Sequence, residues 1–342
     1  MCRNYIQRKS CYSCNYTNNN YNKEYIEKCK DYANRLLKNN LPVIFDAIHL
    51  SRLIGTDIEF IYKLVFSQDL FYHITYIPKK NGKMRELRIP CLELKYIQRW
   101  ILDNILSKIN ISKYATGFCN KHSIVDNAKY HINKDCVISI DIEDFFPSIK
   151  FEKVFRVFAY YGYTKEVSFF LAKLCTYKDE LPQGSPASPM LSNVVNLKLD
   201  ARLSSLAETY NAAYSRYADD ITFSGNCGIK KIIGISKKIL KEEGYTLNEQ
   251  KTRVRYQHQR QEVTGIIVNG DVLKVNKKYK RKLEQEIYYC TKFGVKHHME
   301  KTNNNKAFYK EHLYGKAYFI KMIEPEIGKS VIEKLNQIDW EY

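Results

Sequence analysis

Three aspartates lie where short apolar strands are predicted to end, and their carboxylates suit metal-assisted chemistry. Asp141 follows the β-branched run Cys136–Ile140, and Asp219 and Asp220 lie within the strand-forming segment Tyr214–Phe223. Adjacent carboxylates at a hairpin repel each other unless cations neutralise them. Oxygen ligands of this kind suit Mg²⁺, which commonly takes one or two protein carboxylates together with substrate phosphates. Two such ions about 3.5–4 Å apart can activate an attacking oxygen and stabilise a leaving one, so the pattern indicates phosphoryl transfer. Taken alone, Asp219-Asp220 is more typical of a solvated turn.

A basic hairpin is predicted ahead of these aspartates. Tyr72–Pro78 alternates in the strand pattern, Asn81-Gly82 is a strong signal for a two-residue turn, and a second alternating strand ends at Pro90. Five basic residues lie on it: Lys79, Lys80, Lys83, Arg85 and Arg88. Apolar residues at helical spacing follow, namely Leu94, Ile97, Ile101 and Ile105.

Helices and short strands alternate through the rest of the chain. A helix is predicted near the start, from Lys23 to Leu37. Helical segments at Lys153–Leu174 and Pro189–Leu206 flank the loop Leu181–Pro186. Beyond Gly270 the chain is basic and helical, with six Lys or Arg among residues 274–282. Strand pairs mixed with helices in this way predict an α+β fold.

Charge and composition limit the class of partner. The chain has 55 Lys and Arg against 37 Asp and Glu, a formal charge of +18, which favours a polyanion such as nucleic acid or an acidic membrane surface. No run approaches the ~20 apolar residues of a membrane span, and the N-terminus lacks a signal-peptide core. The ten cysteines are scattered, as reduced thiols are. We therefore expect a cytoplasmic protein, with no zinc at Cys11 and Cys14 because no second pair follows at finger spacing.

Three motifs, in this order, carry a resemblance to a known family. They are Asp141-Ile142-Glu143-Asp144-Phe145-Phe146-Pro147-Ser148, Leu181-Pro182-Gln183-Gly184 and Tyr217-Ala218-Asp219-Asp220. Together they resemble the palm motifs of reverse transcriptases, and the basic hairpin precedes them as the fingers do in that family. Two shorter elements narrow the resemblance: Asn127-Ala128-Lys129-Tyr130-His131 and Val263-Thr264-Gly265. Both resemble elements of retron reverse transcriptases.

The resemblance implies a right-hand polymerase fold and a set of active-site roles. Asp141, Asp219 and Asp220 would be catalytic and hold two Mg²⁺ ions, with the backbone carbonyl of Ile142 assisting. Phe146 would lie beneath the incoming sugar and exclude a 2′-hydroxyl, or else be an ordinary core residue. The other residues matched to dNTP binding are Arg85 with Lys79 or Lys80 at the triphosphate, Gln183 and Gly184 beside the nascent base pair, and Lys251 near the leaving pyrophosphate, with a plain surface lysine as its alternative.

A second set of residues is matched to RNA binding. Asn127 and His131 would lie on one face of a helix and contact RNA, or would be a capping Asn and a satisfied core His. Val263, Thr264 and Gly265 would contact the structured RNA, or serve as sheet core and turn. A thumb helix with Lys277, Lys278 and Arg281 would follow a duplex backbone. The predicted domains are 1–40, a helical N-terminal extension packing on or near the fingers; 41–270, fingers and palm; and 271–342, a basic helical thumb.

The family implies a function in which a retron enzyme copies a structured noncoding RNA from its own locus into DNA. Priming from a 2′-hydroxyl of that RNA gives a branched RNA–DNA, and such systems act in antiphage defence with a separate effector protein. No ribonuclease H or endonuclease region is recognised, so a host enzyme is expected to remove the template. Two alternatives stay open: a reverse transcriptase of group II intron or diversity-generating type, and a non-catalytic RNA-binding scaffold.

Overall fold

The computed structural model describes residues 23–340 apart from 79–81, 83, 121 and 227. Helices mix with antiparallel sheets, which confirms the predicted α+β class. The chain separates into two compact units. The first comprises the described residues up to Ser112 with Asp144–Lys198, and the second comprises Lys113–Glu143 with the described residues from Leu199 onward. No helix in these described ranges is long and apolar enough to span a membrane. The division at 40/41 and 270/271 stays a prediction.

The first unit contains the predicted hairpin and most of the early helices. Strands β1 (Tyr72–Pro78) and β2 (Met84–Pro90) pair antiparallel from Tyr72 opposite Pro90 to Pro78 opposite Met84. Asn81 lies outside the described residues, and Gly82 has φ 79°. The helices are α1 (Lys23–Lys38), α2 (Ala47–Ile54), α3 (Ile58–Phe66) and α4 (Leu92–Asn104), with 3₁₀ turns at Gln68–Phe71 and Leu106–Lys108.

The core of the first unit forms from helix faces that the sequence pattern predicts. In α4, Leu94, Ile97 and Ile101 are at most 1% exposed, as expected for one helical face. Buried Gln98 donates its amide to the Leu174 carbonyl at 2.8 Å, which satisfies that polar group inside the core.

The second unit is built on a four-stranded antiparallel sheet. The spatial order is β4-β5-β3-β6, from β3 (Cys136–Glu143), β4 (Ala213–Tyr217), β5 (Asp220–Ser224) and β6 (Thr246–Tyr256). Strand β3 is central and carries a nearly continuous apolar run, as strands buried on both faces do. On the outer side of β4, Ala115 forms a parallel bridge with Arg216. The sheet therefore has a short covering segment on one edge and β6 on the other.

The remaining helices complete the two units. In chain order they are α5 (Ile124–Lys129), α6 (Phe151–Tyr160), α7 (Lys165–Cys175), α8 (Ser188–Val195), α9 (Leu197–Thr209), α10 (Ile229–Glu242), α11 (Lys277–Phe293), α12 (Val295–Lys301), α13 (Tyr309–Ile323) and α14 (Pro325–Asn336). A small sheet, β7 (Glu262–Val263), β8 (Ile266–Ile267) and β9 (Lys274–Val275), shares one buried core with α11, α13 and α14. The predicted helical C-terminal region is therefore confirmed, and its apolar stripes face that shared core.

Candidate active site

The turn between β4 and β5 carries two of the three aspartates. Tyr217 pairs with Asp220, so Ala218 and Asp219 form a two-residue connection. Ala218 has φ 57°, a left-handed conformation that alanine rarely adopts. Gly117 packs behind it, and a Cβ at that glycine would lie 2.9 Å from the Ala218 nitrogen. The turn is therefore held in a disfavoured conformation against a position that accepts only glycine.

Strand β3 brings the third aspartate to the same end of the sheet. Asp141 lies opposite Asp220 in the β3–β5 register. The Ile142 nitrogen donates to the Asp219 carbonyl at 3.1 Å. Residues 78 positions apart in the chain thus meet because the antiparallel pairing of β3 with β5 ends at Asp141 and Asp220. The expectation that folding brings Asp141 to Asp219 and Asp220 agrees with this register.

The three carboxylates repel one another. Protein packed around Asp220 removes water from its carboxyl group, and Asp219 and Asp141 add negative charge, so the pKa of Asp220 rises to about 6. The side chain of Asp220 still reaches solvent, and Lys251 opposes the rise. The strand ends therefore concentrate negative charge that favours binding of cations.

Lys251 on β6 is the counter-charge in this structure. Its Nζ donates to both Asp141 oxygens at 2.9 Å. This hydrogen bond raises the pKa of Lys251. The lysine side chain is 60% exposed and that of Asp141 only 10%, so Lys251 reaches from solvent onto a buried acid. Because most of the lysine side chain is exposed, the ion pair adds little stability, and Lys251 can exchange Asp141 for another anion.

The donor set fits Mg²⁺ in a site that substrate completes. Within the described ranges, no three His, Cys, Asp or Glu side chains converge as a closed set around one ion. Magnesium does not require one, since it commonly takes one or two carboxylates and fills its shell with water and substrate phosphates. Oxygen donors with surplus negative charge at an accessible strand end meet that requirement. Asp141, Asp219 and Asp220 would hold the ions, and the Ile142 carbonyl would assist.

The predicted nucleotide-binding residues, apart from Lys251, belong to the first unit. Arg85 is exposed on β2, opposite Ile77. Phe146 is half-buried and packs edge-on against buried Phe145, with ring centroids 5.4 Å apart. Lys79 and Lys80 lie outside the described residues. An exposed arginine and a half-buried ring are both accessible to a ligand.

The loop with Gln183 and Gly184 is attached to β2. The Arg88 nitrogen donates to the Gln183 carbonyl at 2.9 Å. Gly184 has φ 132°, and a Cβ there would lie 2.8 Å from the Arg88 carbonyl oxygen. The Arg88 side chain pairs with Glu86 and Glu180 at 2.7 and 2.8 Å. Arg88 therefore fastens this loop.

The two retron-like elements meet in the second unit. The Asn127 amide accepts from the Thr116 hydroxyl at 2.7 Å and donates to the Thr264 hydroxyl at 3.5 Å. Thr264 and Gly265 form the β7–β8 turn with φ 46° and 84°. Asn127 and Val263 are at most 2% exposed, so their side chains link elements together. Thr264 and Gly265 remain accessible at the turn, and RNA contact by this cluster stays a prediction.

His131 is a buried histidine with both ring nitrogens occupied. It contacts the Ser224 hydroxyl at 2.7 Å and the Ser215 hydroxyl at 2.8 Å. Burial lowers its pKa to about 3, so the ring is neutral. This arrangement agrees with the alternative of a satisfied core histidine. His131 thereby joins β4 to β5, the strands on either side of the aspartate turn.

The predicted thumb residues lie at the start of α11. Lys277, Lys278 and Arg281 are all exposed there, while neighbouring Lys280 pairs with Glu324 at 2.9 Å. Asn276 caps the helix by accepting from the Lys278 nitrogen at 2.9 Å. These three positive charges are therefore accessible to a phosphate backbone.

Sequence reasoning missed a charged group buried behind the turn. Arg216 on β4 and Asp200 on α9 are both 0% exposed and form a bidentate ion pair. The available signal was an arginine inside an apolar strand, on the same face as Tyr214 two residues earlier. Its partner lies 16 residues away, on a helix, and nothing local indicates it.

Comparison with known proteins identifies the family. The protein-family model described as reverse transcriptase (RNA-dependent DNA polymerase) matches residues 77–268. The retron Ec86 reverse transcriptase of Escherichia coli is 32% identical over 92% of this chain and 97% of its own. The retron Mx162 reverse transcriptase of Myxococcus xanthus is 28% identical over 89% of this chain and 69% of its own. The apo telomerase structure from Candida tropicalis shares the right-hand polymerase fold, with a TM-score of 0.51 and 11% identity over 79% of this chain and 58% of that one. The chain therefore belongs to the retron branch of the reverse transcriptases, which are RNA-directed DNA polymerases.

Proposed function

We propose that the protein copies a structured noncoding RNA of its own retron into DNA, primed from a 2′-hydroxyl of that RNA, to give a branched RNA–DNA product. The observation that carries the proposal is the meeting of Asp141, Asp219 and Asp220 at one end of the β3–β5 pair. A protein that only binds RNA has no use for three carboxylates clustered against a polyanion. Membership of the retron family supports the choice of template and of primer.

In this proposal, Asp141, Asp219 and Asp220 would hold the two Mg²⁺ ions. When bound, these ions lower the pKa of the attacking hydroxyl and neutralise charge on the leaving pyrophosphate. The β4–β5 turn positions Asp219 and Asp220, and the central strand β3 positions Asp141. Rigid placement of this kind is what reduces the barrier in phosphoryl transfer.

Lys251 changes partners during the reaction. In this structure its ammonium neutralises Asp141. Metal ions held by the aspartates would supply that positive charge, and Lys251 would then be available to neutralise the departing pyrophosphate. Its largely solvated stem permits the movement at little cost.

The other assignments complete the proposal. Arg85, with Lys79 or Lys80, binds the triphosphate, and Phe146 excludes a 2′-hydroxyl. Gln183 and Gly184 lie beside the new base pair. The retron-like elements and the start of α11 bind RNA and its DNA product. The enzyme acts in the cytoplasm, in antiphage defence with a separate effector protein.

The test is to express the chain with its flanking locus and to size the small nucleic acids after ribonuclease and debranching treatment. Asp219→Ala is compared with wild type, and Asp103→Ala, at an exposed position of the first unit, is the matched control. We expect a discrete DNA in wild type and control, absent from Asp219→Ala and shortened by debranching. DNA that depends on Asp219 but is not shortened by debranching would indicate another reverse transcriptase class. RNA binding without DNA in any strain would indicate a scaffold.

A further inference from the structure

We propose that Arg216, held by Asp200, is a positioning residue that fixes the backbone of Ala218 and thereby the placement of the Asp219 and Asp220 carboxylates. The inference rests on the assignment of Asp219 and Asp220 as metal ligands in the proposed function. It concerns two residues that are both fully buried.

The guanidinium of Arg216 uses two sides for two different partners. Its Nε and Nη2 donate to the two Asp200 oxygens, each at 2.7 Å. Its Nη1 donates to the Ala218 carbonyl at 3.2 Å. A planar fork with a third donor can hold a carboxylate and a backbone carbonyl together, which the single ammonium of lysine cannot do in the same geometry.

Asp200 is itself fixed in place. The Tyr214 hydroxyl donates to Asp200 Oδ1 at 2.8 Å, and the carboxylate lies on α9 in the core of the second unit. A charge without water is held in a fixed position only when its partners satisfy it. The buried pair therefore provides a rigid point behind the turn.

The backbone of Arg216 is fixed as firmly as its side chain. Its nitrogen donates to the Tyr114 carbonyl at 2.8 Å, and its carbonyl accepts from the Thr116 nitrogen at 2.9 Å. The next residue in that covering segment is Gly117, which packs against the Ala218 nitrogen. Ala218 is thus held at its carbonyl by Arg216 and approached at its nitrogen by Gly117.

The strain at Ala218 explains why such a hold is needed. Left-handed backbone at a residue with a Cβ persists only where the surroundings determine it. Release of the Ala218 carbonyl would let the turn relax, and the carboxylates that follow it would move. Because a displacement of about 1 Å can reduce a rate on the order of a hundredfold, a small relaxation is sufficient to affect catalysis.

The test compares purified wild type with Arg216→Lys, Ala218→Gly and the double variant in primer extension on a synthetic RNA template with a DNA primer. This assay does not require branched priming, so it stays informative even if the proposed priming reaction is wrong. Active sites are counted by single-turnover amplitude, and folding is followed by thermal unfolding. Arg202→Lys is the matched control, since Arg202 lies on the same helix as Asp200 but pairs with Glu242 and Glu243 at the surface.

We expect Arg216→Lys to fold and to lose kcat on the order of a hundredfold per active site, with KM for dNTP nearly unchanged and a higher Mg²⁺ requirement. Glycine adopts left-handed backbone without strain, so Ala218→Gly should restore much of kcat in the Arg216→Lys background. Wild-type kcat and Mg²⁺ dependence per active site in Arg216→Lys, with only a lower melting temperature, would overturn the proposal. A loss that Ala218→Gly does not relieve would overturn it as well, because the defect would then lie elsewhere.

Discussion

His131 illustrates how a residue matched to RNA binding can support the hairpin that carries Asp219 and Asp220. Its ring is enclosed between Ser215 on β4 and Ser224 on β5. A neutral imidazole offers one donor and one acceptor, which two hydroxyls satisfy fully. Protonation would replace the acceptor with a second charged donor in a site without water. The structure therefore requires the neutral form.

This requirement predicts a pH-dependent stability. The pKa of His131 is lowered from 6.5 to about 3 in the folded protein. Well above pH 6.5 the His131 ring is neutral in both the folded and the unfolded protein. As the pH falls through 6.5, the ring takes up a proton in the unfolded protein but not in the folded one, so stability is lost as pH falls. Between pH 7.5 and 5 we expect this group to cost about 2 kcal/mol of unfolding free energy. Urea unfolding of wild type and His131→Gln at both pH values measures the difference, because glutamine does not titrate. His73→Gln, at an exposed position, is the control and should lose as much unfolding free energy between the two pH values as wild type does. The same loss in His131→Gln as in wild type would contradict the prediction.

At the scale of elements, the local motifs could be predicted and their tertiary links could not. The strand that carries Asp141 follows from a β-branched run, although it continues to Glu143, and the hairpin around Asp219 and Asp220 follows from two short apolar segments. The contact between Asn127 and Thr264 joins residues 137 positions apart. Nothing in either short motif indicates that the other is its partner. The periodicity of apolar residues predicts which face of a helix or strand is buried, but not which other element that face packs against.

Two glycines in the C-terminal helices make a matched pair for testing helix packing. A Cβ at Gly328, in α14, would lie 2.2 Å from Lys321 Cα in α13, whereas a Cβ at Gly315, within α13, meets nothing within 4 Å. Gly328→Ala should lower the free energy of unfolding by about 3 kcal/mol, since backbone must move apart. Gly315→Ala should raise it by about 0.5–1 kcal/mol, because alanine is the better helix former. Urea titration of both variants checks the opposite signs. Destabilisation of equal size in both would mean that the close approach of α13 and α14 is not what requires Gly328.

For the whole molecule, the formal charge of +18 predicts binding to a polyanion but not which surface does it. The structure distinguishes lysines that pair with an acid of the protein from basic residues that are exposed to solvent. Lys280 and Lys316 are held by Glu324 and Glu286. Lys277, Lys278 and Arg281 are exposed at the start of α11. Whether a lysine pairs with an acid or is exposed depends on its neighbours in the folded protein, which cannot be deduced from the amino-acid composition.

Salt dependence tests whether those three charges contact phosphates. Replacement of all three by glutamine should reduce the slope of log affinity against log salt by about 0.9 for each lost contact on a duplex. The measurement is binding of an RNA–DNA duplex across a salt series. Exposed Lys23, Lys30 and Lys38 on α1, replaced in the same way, form a charge-matched control that should keep the slope. Equal reductions in the two triple variants would show that only net charge matters.

The segment that covers β4 has a consequence for self-association. A sheet edge with unpaired backbone groups is a template for strands of other chains. Here the Ala115 bridge and the Thr116 nitrogen occupy backbone groups at Arg216 on the β4 side. On the other edge, β6 presents Arg253 and Arg255, whose like charges repel a second copy of the same strand. In the described part of this sheet, each edge thus carries a deterrent to edge-to-edge pairing. The segment that covers β4 and the basic strand β6 therefore also oppose aggregation through the two edges of this sheet.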